Sequence, residues 1–409
     1  MSKVVVVGGG ASGMMAAYFA AAGNNEVILL EKNEKLGKKI YITGKGRCNY
    51  SNTADMDSFL GHIVSNPKFM YSSLYGFFNG DMTRLLNENG CPTKEERGGR
   101  LFPLSDHASD VTAAITRALK SEGVDIRLNT EVKGIRTESG EVLGVYTPEG
   151  EIEADCVILA TGGLSYPTTG STGDGHRFAE ELGLKVTKLR PSLVSLHIEE
   201  DYVKRLQGLS LRNVTFRATG RKKTLYQSEV GELVFTDRGL SGPIILSASA
   251  YIGEALEREE KLLGYIDLKP ALDMDTIDKR IIREVEAAPN KKLRALFAAL
   301  LPGKLAAIFP EVCGVDPDKK SNELKKTERA AITEKLKSFP MTVTGAGGYN
   351  EAVITQGGIS VKEIDPSTMQ VKRIKGLYCV GELLDVDALT GGYNLQIAFS
   401  TGALAGRSV

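Results

Sequence analysis

Gly8, Gly10 and Gly13 stand at the spacing G-x-G-x-x-G close to the start of the chain, and Glu31 follows after two further apolar stretches. Residues 4–7 are an unbroken run of Val and read as a strand buried on both faces. Residues 14–22, rich in Ala and Met, read as a helix, and residues 27–30 as a second buried strand ending at Glu31. This is the order of a dinucleotide-binding βαβ unit. Gly8 allows the tight turn, Gly10 lets the backbone approach a pyrophosphate, and Gly13 lets the helix close on the sheet. Ala11 and Ser12 lie where a helix N-terminus offers free N–H groups to phosphate oxygens, and Glu31, followed by Lys32, can accept ribose hydroxyls. The unit predicts an adenine dinucleotide and does not by itself separate FAD from NAD.

Three distant segments bear on that choice. Residues 156–159 read as a buried strand ending in Ala160, Thr161 and Gly162. Residues 376–380 read as a short strand that runs into Gly381 and Glu382. Gly391 and Gly392 precede Tyr393, Asn394, Leu395, Gln396 and an Ala-rich helical stretch, whose first N–H groups could face the pyrimidine edge of a flavin. Together these segments resemble those of glutathione-reductase-like flavoproteins. The run TGKGRCN at 43–49 resembles the TGxGRCN loop of the YhiN/BaiN-like flavoproteins, a family that includes aminoacetone oxidases. Residues 165–175 and 384–387 resemble the same family, and the likeness spans nearly the whole chain.

The resemblance implies FAD, redox chemistry and a three-part architecture. It is an α/β fold: a glutathione-reductase-like FAD-binding Rossmann domain with an inserted β-rich domain and a small helical subdomain. Under that reading Lys38 and Arg47 neutralise the pyrophosphate, while Gly44, Cys48 and Asn49 form a loop near the flavin. Val132 touches the adenine through its backbone, and Glu382 meets ribityl or phosphate-side groups. Tyr166 and Tyr393 are the candidates for giving a proton to a carbonyl substrate. Cys48 has no partner thiol near it in sequence, the next being Cys91, so a flavin-adjacent or packed Cys48 is expected rather than a redox disulfide. The chain departs from the family at Ala388, usually Gly, at His176, commonly Tyr, and at residues 397–399, where a Trp-containing run is usual.

The elements that must position these residues fall into three parts. Residues 1–190 and 345–409 are expected to form a discontinuous FAD-binding domain. Residues 191–270, with strand patterns at 193–198, 214–219, 233–236 and 262–268, are expected to form an inserted β-barrel-like domain. Residues 271–344 read as a helical subdomain, with Ile332, Leu336 and Phe339 at helical spacing. Residues 131–146 read as paired strands about a turn at 139–141, and 110–119 as a helix.

Composition narrows the partners. In 409 residues, Lys plus Arg and Asp plus Glu are 51 each, so no net charge draws the chain to nucleic acid or an anionic membrane. Five scattered Cys suit a reducing cytoplasm, and His62, His107, His176 and His197 show no metal-ligand spacing. The apolar stretch 4–23 reads as a strand and helix rather than a leader or a membrane span. A small-molecule substrate is therefore expected, with neither nucleic acid nor membrane as partner. The expected activity is an FAD-dependent oxidoreductase in which NAD(P)H reduces the flavin and hydride passes to an activated C=C bond. An oxygen-using oxidase of an aminoketone or amine, and a tRNA- or partner-binding flavoprotein, are the alternatives. Lacking a second G-x-G-x-x-G unit, the chain would have to meet NAD(P)H as a transient electron donor at the flavin or bind it elsewhere.

Overall fold

The computed structural model describes residues 1–221 and 223–409. They form two compact units, Met1–Ser192 with Gly348–Val409, and Leu193–Gly347.

In the first unit β1 (Lys3–Val7) lies in the middle of a five-stranded parallel sheet. One side of β1 pairs with β2 (Glu26–Leu30), and the other with the strand Cys156–Leu159, which in turn pairs with Leu377–Cys379. Asp125–Arg127 lies beyond β2. Burial on both faces explains the unbroken Val run: Val4, Val5 and Val6 are wholly inaccessible. The register sets where the strands stop. Val7 pairs with both Leu30 and Leu159, so the three strands end at one level and deliver Gly8, Glu31 and Ala160 side by side.

Helix α1 (Ala11–Ala22) returns over the sheet and is covered by the C-terminal helix Tyr393–Ser408. That helix presents Gly402 to α1, where a Cβ would stand 2.2 Å from Ser12 O, so the two backbones touch. Residues Gly134–Glu138, Glu141–Thr147 and Gly150–Glu153 form an antiparallel meander. Its first turn holds Ser139 and Gly140 at positive φ, as a two-residue hairpin requires.

The second unit is a closed antiparallel barrel. Around it run Ser210–Thr219, Gly231–Phe235, Gly239–Ser241, Leu196–Ile198, Phe339–Ala346 and Leu262–Asp267, and the last pairs back with the first. Thr224–Gln227 adds a strand on the outside of Ser210–Thr219. Helices Met274–Ala287, Leu293–Leu300, Gly303–Cys313 and Lys326–Lys337 are inserted between two neighbouring barrel strands. Phe309 stacks on Phe339 at 5.9 Å, so helices and barrel share one core. Phe339, expected on a helix face, opens a strand instead: Phe339, Met341 and Val343 alternate inward, the period of two that a sheet imposes. Among the described residues no helix is long and apolar enough to cross a membrane.

Candidate functional site

The candidate site lies in the first unit, at the level where the parallel strands end. Gly8 takes φ +104 and packs so closely that a Cβ would meet Ala160 O at 2.6 Å, and a Cβ on Gly13 would meet Gly8 O at 1.8 Å. Nothing lies within 4 Å of a Cβ on Gly10, which leaves open space before the helix. With no side-chain cap and no acid in its first turn, α1 offers the N–H groups of Ala11, Ser12 and Gly13 to an anion. Gly381 closes the other side, where a Cβ would stand 2.5 Å from Ser12 Oγ.

Glu31 marks the far end. Its Oε2 accepts the Gly9 N–H at 2.7 Å, and its Oε1 accepts the Asn33 N–H at 2.8 Å, so the carboxylate is fixed against the glycine turn. Thr130 N–H donates to Glu31 O, and Lys133 N–H to Tyr146 O, which holds buried Val132 beside the acid. Val132 lies just ahead of the strand Gly134–Glu138 rather than within it.

A hydrogen-bonded cluster that local sequence patterns do not reveal joins four segments. Lys39 Nζ lies 2.6 Å from Glu382 Oε2 and also donates to Ser165 Oγ. Ser165 Oγ donates to Glu382 Oε1 at 2.6 Å, and Thr355 N–H donates to the same oxygen at 2.8 Å. Thr355 Oγ1 in turn accepts the N–H groups of Leu164 and Ser165. Lys39, read from the sequence as a solvated lysine, thus joins this cluster with Ser165, the first residue of the 165–175 stretch, and with Thr355, which no motif marked. The doublet Lys38-Lys39 did not say which lysine turns inward.

At the C-terminal helix, Gly392 is the N-cap, and the N–H groups of Tyr393, Asn394 and Leu395 have no partner within the helix. The Asn49 amide sits beside this end, its oxygen 2.9 Å from where a Gly392 Cβ would stand. Asn49 Oδ1 and Thr161 Oγ1 are buried with no hydrogen-bond partner among the described residues. Tyr393 is almost wholly buried, its ring stacked on His62 at 4.4 Å and edge-on to Phe59 at 4.9 Å.

Several expected roles are not supported by these contacts. Gln396 is fully buried: its N–H goes to Gly392 O, its Oε1 accepts from Ser51 Oγ at 2.7 Å, and its Nε2 donates to Ser400 Oγ at 3.0 Å. The side chain of Asn394 is spent on Ala388, accepting its N–H at 2.9 Å and donating to its carbonyl at 2.7 Å, which leaves the expected role to its backbone N–H alone. Arg47 is paired with Glu96 and Asp106 and lies 4.3 Å over the Phe102 ring, so its charge is neutralised away from the glycine turn. Lys32 is held by Asp174 at 2.6 Å, and Lys38 by Glu34 and Asn33. Gly44 turns at φ +56 in an exposed bend that leads to Cys48. Cys48 itself is fully buried, and burial pushes its thiol up to about 12. It is a packed side chain and no nucleophile at neutral pH.

Two buried titratable groups lie close by in the chain. Asp387 accepts a hydrogen bond from Gln356 Nε2 at 3.2 Å, and burial pushes its carboxyl up to about 6. Burial lowers the imidazole of His176 below the ordinary range.

The family described as HI0933-like protein Rossmann domain matches residues 2–408. The 3-dehydro-bile acid delta(4,6)-reductase of Clostridium scindens is 30% identical over 380 residues, 93% of this chain and 91% of that one. The ribosomal RNA dihydrouridine synthase of Escherichia coli is 31% identical over 376 residues, 91% of this chain and 89% of that one. The solved structure of 3-ketosteroid delta1-dehydrogenase from Sterolibacterium denitrificans, in complex with 1,4-androstadiene-3,17-dione, shares the fold at TM-score 0.55. It is 14% identical, over 99% of this chain and 98% of that one.

Proposed function

The chain belongs to the HI0933-like protein family, and from that membership we propose that this FAD-dependent oxidoreductase reduces a carbon–carbon double bond conjugated to a carbonyl. One observation carries the reading. Two relatives of similar identity have different names, a delta(4,6)-reductase and a dihydrouridine synthase, and both names denote saturation of such a bond. In a 3-oxo steroid skeleton the 4,6-diene is conjugated to the ketone, and in uridine the C5=C6 bond is conjugated to C4=O.

The residues present fit FAD. Open space at Gly10 and the first N–H groups of α1 suit a pyrophosphate, and the Glu31 carboxylate suits a ribose. Asn49 Oδ1 and Thr161 Oγ1 are buried polar atoms still lacking partners, as expected of groups that a ligand satisfies. Ala11, Ser12 and Gly13 would hold the pyrophosphate, Val132 the adenine, and Ala160, Thr161, Gly162 and Gly381 the chain between the two rings. The N–H groups of Tyr393, Asn394 and Leu395, at the positive end of the C-terminal helix, would stabilise negative charge on the reduced ring. Glu382, held by Lys39 and Ser165, sets the shape of this wall. Bound FAD supplies hydride to the substrate.

NAD(P)H is the proposed electron donor, visiting the flavin transiently, since the sequence holds one G-x-G-x-x-G unit. The substrate is proposed to be a small organic enone. A second reading, uridine within ribosomal RNA, is favoured by the name of the Escherichia coli relative. Against it stands the even charge balance, since RNA binding rests on a surplus of cations.

Anaerobic stopped-flow mixing of the holoenzyme with NADH and NADPH tests the reading. Flavin bleaching is expected, followed by reoxidation on adding a cyclic enone, or an rRNA fragment under the second reading. If no nicotinamide bleaches the flavin and an aminoketone does, electrons run the other way and the protein is an oxidase.

A further inference from the structure

We propose that Asp387 takes up a proton when the bound flavin is reduced and holds it until the flavin is oxidised again. Asp387 is wholly inaccessible, yet its Oδ1 has no hydrogen-bond partner among the described residues. Its Oδ2 accepts from Gln356 Nε2 at 3.2 Å. The charged group acting on it is Asp385, a like charge, and no cation offsets its burial. Glu31, the other acid buried among the described residues, is satisfied by the N–H groups of Gly9 and Asn33. A buried carboxylate with neither a cation nor a full set of donors weakens the fold, so folding alone gives no reason for Asp387.

Its place is the start of the C-terminal helix. Ala388, the next residue, donates its N–H to Asn394 Oδ1 at 2.9 Å and accepts from Asn394 Nδ2 at 2.7 Å. Asp387 O accepts the Val64 N–H at 2.7 Å, and Leu389 N–H donates to His62 O at 2.9 Å. The acid is thereby held beside the helix turn whose free N–H groups are assigned above to the reduced ring, and the proposal rests on that assignment. The phosphate end lies elsewhere, where Gly381 packs on Ser12. On the segments packed around Asp387 the titratable groups are His62, Asp385 and Tyr393. Asp385 engages Thr187 and Asn66, His62 Nδ1 lies 2.7 Å from Ser58 O, and the Tyr393 ring is clamped between His62 and Phe59. Tyr166, the other phenol expected to give a proton, lies in the loop that Asn33 anchors beside Glu31.

Burial pushes the carboxyl up to about 6, so beside oxidised flavin it is a carboxylate at neutral pH. Reduction adds negative charge at the helix start, where the helix dipole stabilises it on the ring. Two negative charges repel strongly away from water, and the carboxylate relieves that repulsion by binding a proton. Protons and electrons balance. Hydride from NAD(P)H carries two electrons to the cofactor and leaves NAD(P)+, while solvent supplies the proton whose O–H bond forms at Asp387. On reoxidation, hydride forms a C–H bond at the substrate β-carbon and the C=C π pair moves toward the carbonyl. The Asp387 O–H breaks, the α-carbon takes the proton, and the carboxylate returns. Only this second half depends on the reductase reading.

Spectroelectrochemical titration of the holoenzyme between pH 6 and pH 8 tests the coupling. The wild-type midpoint potential should fall with pH more steeply than that of Asp387→Asn. One extra proton per two electrons changes the reduction equilibrium tenfold per pH unit, a slope difference of about 30 mV. His62→Gln and Asp385→Asn should keep the steep slope. Parallel slopes for wild type and Asp387→Asn overturn the proposal, as does a steep slope lost in His62→Gln or Asp385→Asn instead. Infrared difference spectra of the wild type alone give a second reading that needs no variant. Reduction above pH 7 should bring up a protonated-carboxyl C=O band, and its absence also overturns the proposal. Neither measurement involves a substrate, so a wild type that no conjugated carbonyl reoxidises sinks the reductase reading and leaves the coupling standing.

Discussion

Lys39 Nζ lies 2.6 Å from Glu382 Oε2, joining the loop after β2 to the turn after the strand Leu377–Cys379. Both side chains are about one-fifth exposed, 22% and 20%, so water screens the pair only in part. Ser165 and the Thr355 N–H share Glu382 Oε1, which makes the pair one edge of a network rather than an isolated bridge.

Lys39→Met leaves that carboxylate with fewer donors. A loss of about 1–2 kcal/mol in folding stability is expected, with FAD bound more weakly. Glu382→Gln should cost a similar amount, and the double variant less than the sum, as coupled neighbours require. Denaturant melts of the four proteins measure this. Strict additivity would show that the network carries no shared energy.

Gly13→Ala tests the phosphate turn. Its Cβ would fall 1.8 Å from Gly8 O, so α1 must shift away from the sheet. FAD affinity should drop by roughly a hundredfold, which is about 3 kcal/mol. The purified variant should be colourless at flavin wavelengths, and a fully yellow one would refute the assignment.

His176 makes stability depend on pH. Burial lowers its folded-state pKa below the ordinary value of 6.5, so the folded chain binds a proton less readily than the unfolded one. Its stabilising share is complete above pH 6.5 and is lost as pH falls from there toward the depressed value. His176→Phe should remove that part of the acid sensitivity. Thermal melts from pH 8 to pH 5 read it directly, and parallel curves for the two proteins would exclude His176 as the source.

Asp387 has the opposite sign. Its carboxyl rises from 3.8 to about 6, so the folded state holds the proton longer and stability falls as pH rises through that window. Asp387→Asn should be more stable than wild type at pH 8, by on the order of 2 kcal/mol. The gain should vanish near pH 4. An equal shift at both pH values would mean that the substitution acts through packing instead.

Cys48 should be chemically silent. With its thiol at about 12 and no exposed surface, alkylation of the native protein at pH 8 should leave it unlabelled by mass spectrometry. Cys48→Ala should turn over normally while losing stability through the small cavity it leaves.

What the sequence determined by itself was whatever depends on neighbours along the chain. The turn Gly8 to Gly13, the buried Val run and the terminal Glu31 are one contiguous unit, so the strand, turn, helix and strand order of the Rossmann unit was legible before any fold was known. The same holds for the hairpin at Ser139-Gly140 and the short barrel strands, because strand period and turn chemistry are local. Charge partners are not. Arg47 and Lys38 sit in the right segment to meet a phosphate, yet Glu96, Asp106 and Glu34 claim them. Lys39, one residue on, faces a carboxylate from the far end of the chain. The strand Phe339–Ala346 was similarly hidden, since its apolar residues continue a helical spacing and only pairing with Leu262–Asp267 makes it a strand. Ion pairs and ladder hydrogen bonds are decided by distance in space, over sequence gaps that no local pattern records. The tertiary structure alone chose which polar groups are spent on the fold and which are left for a ligand.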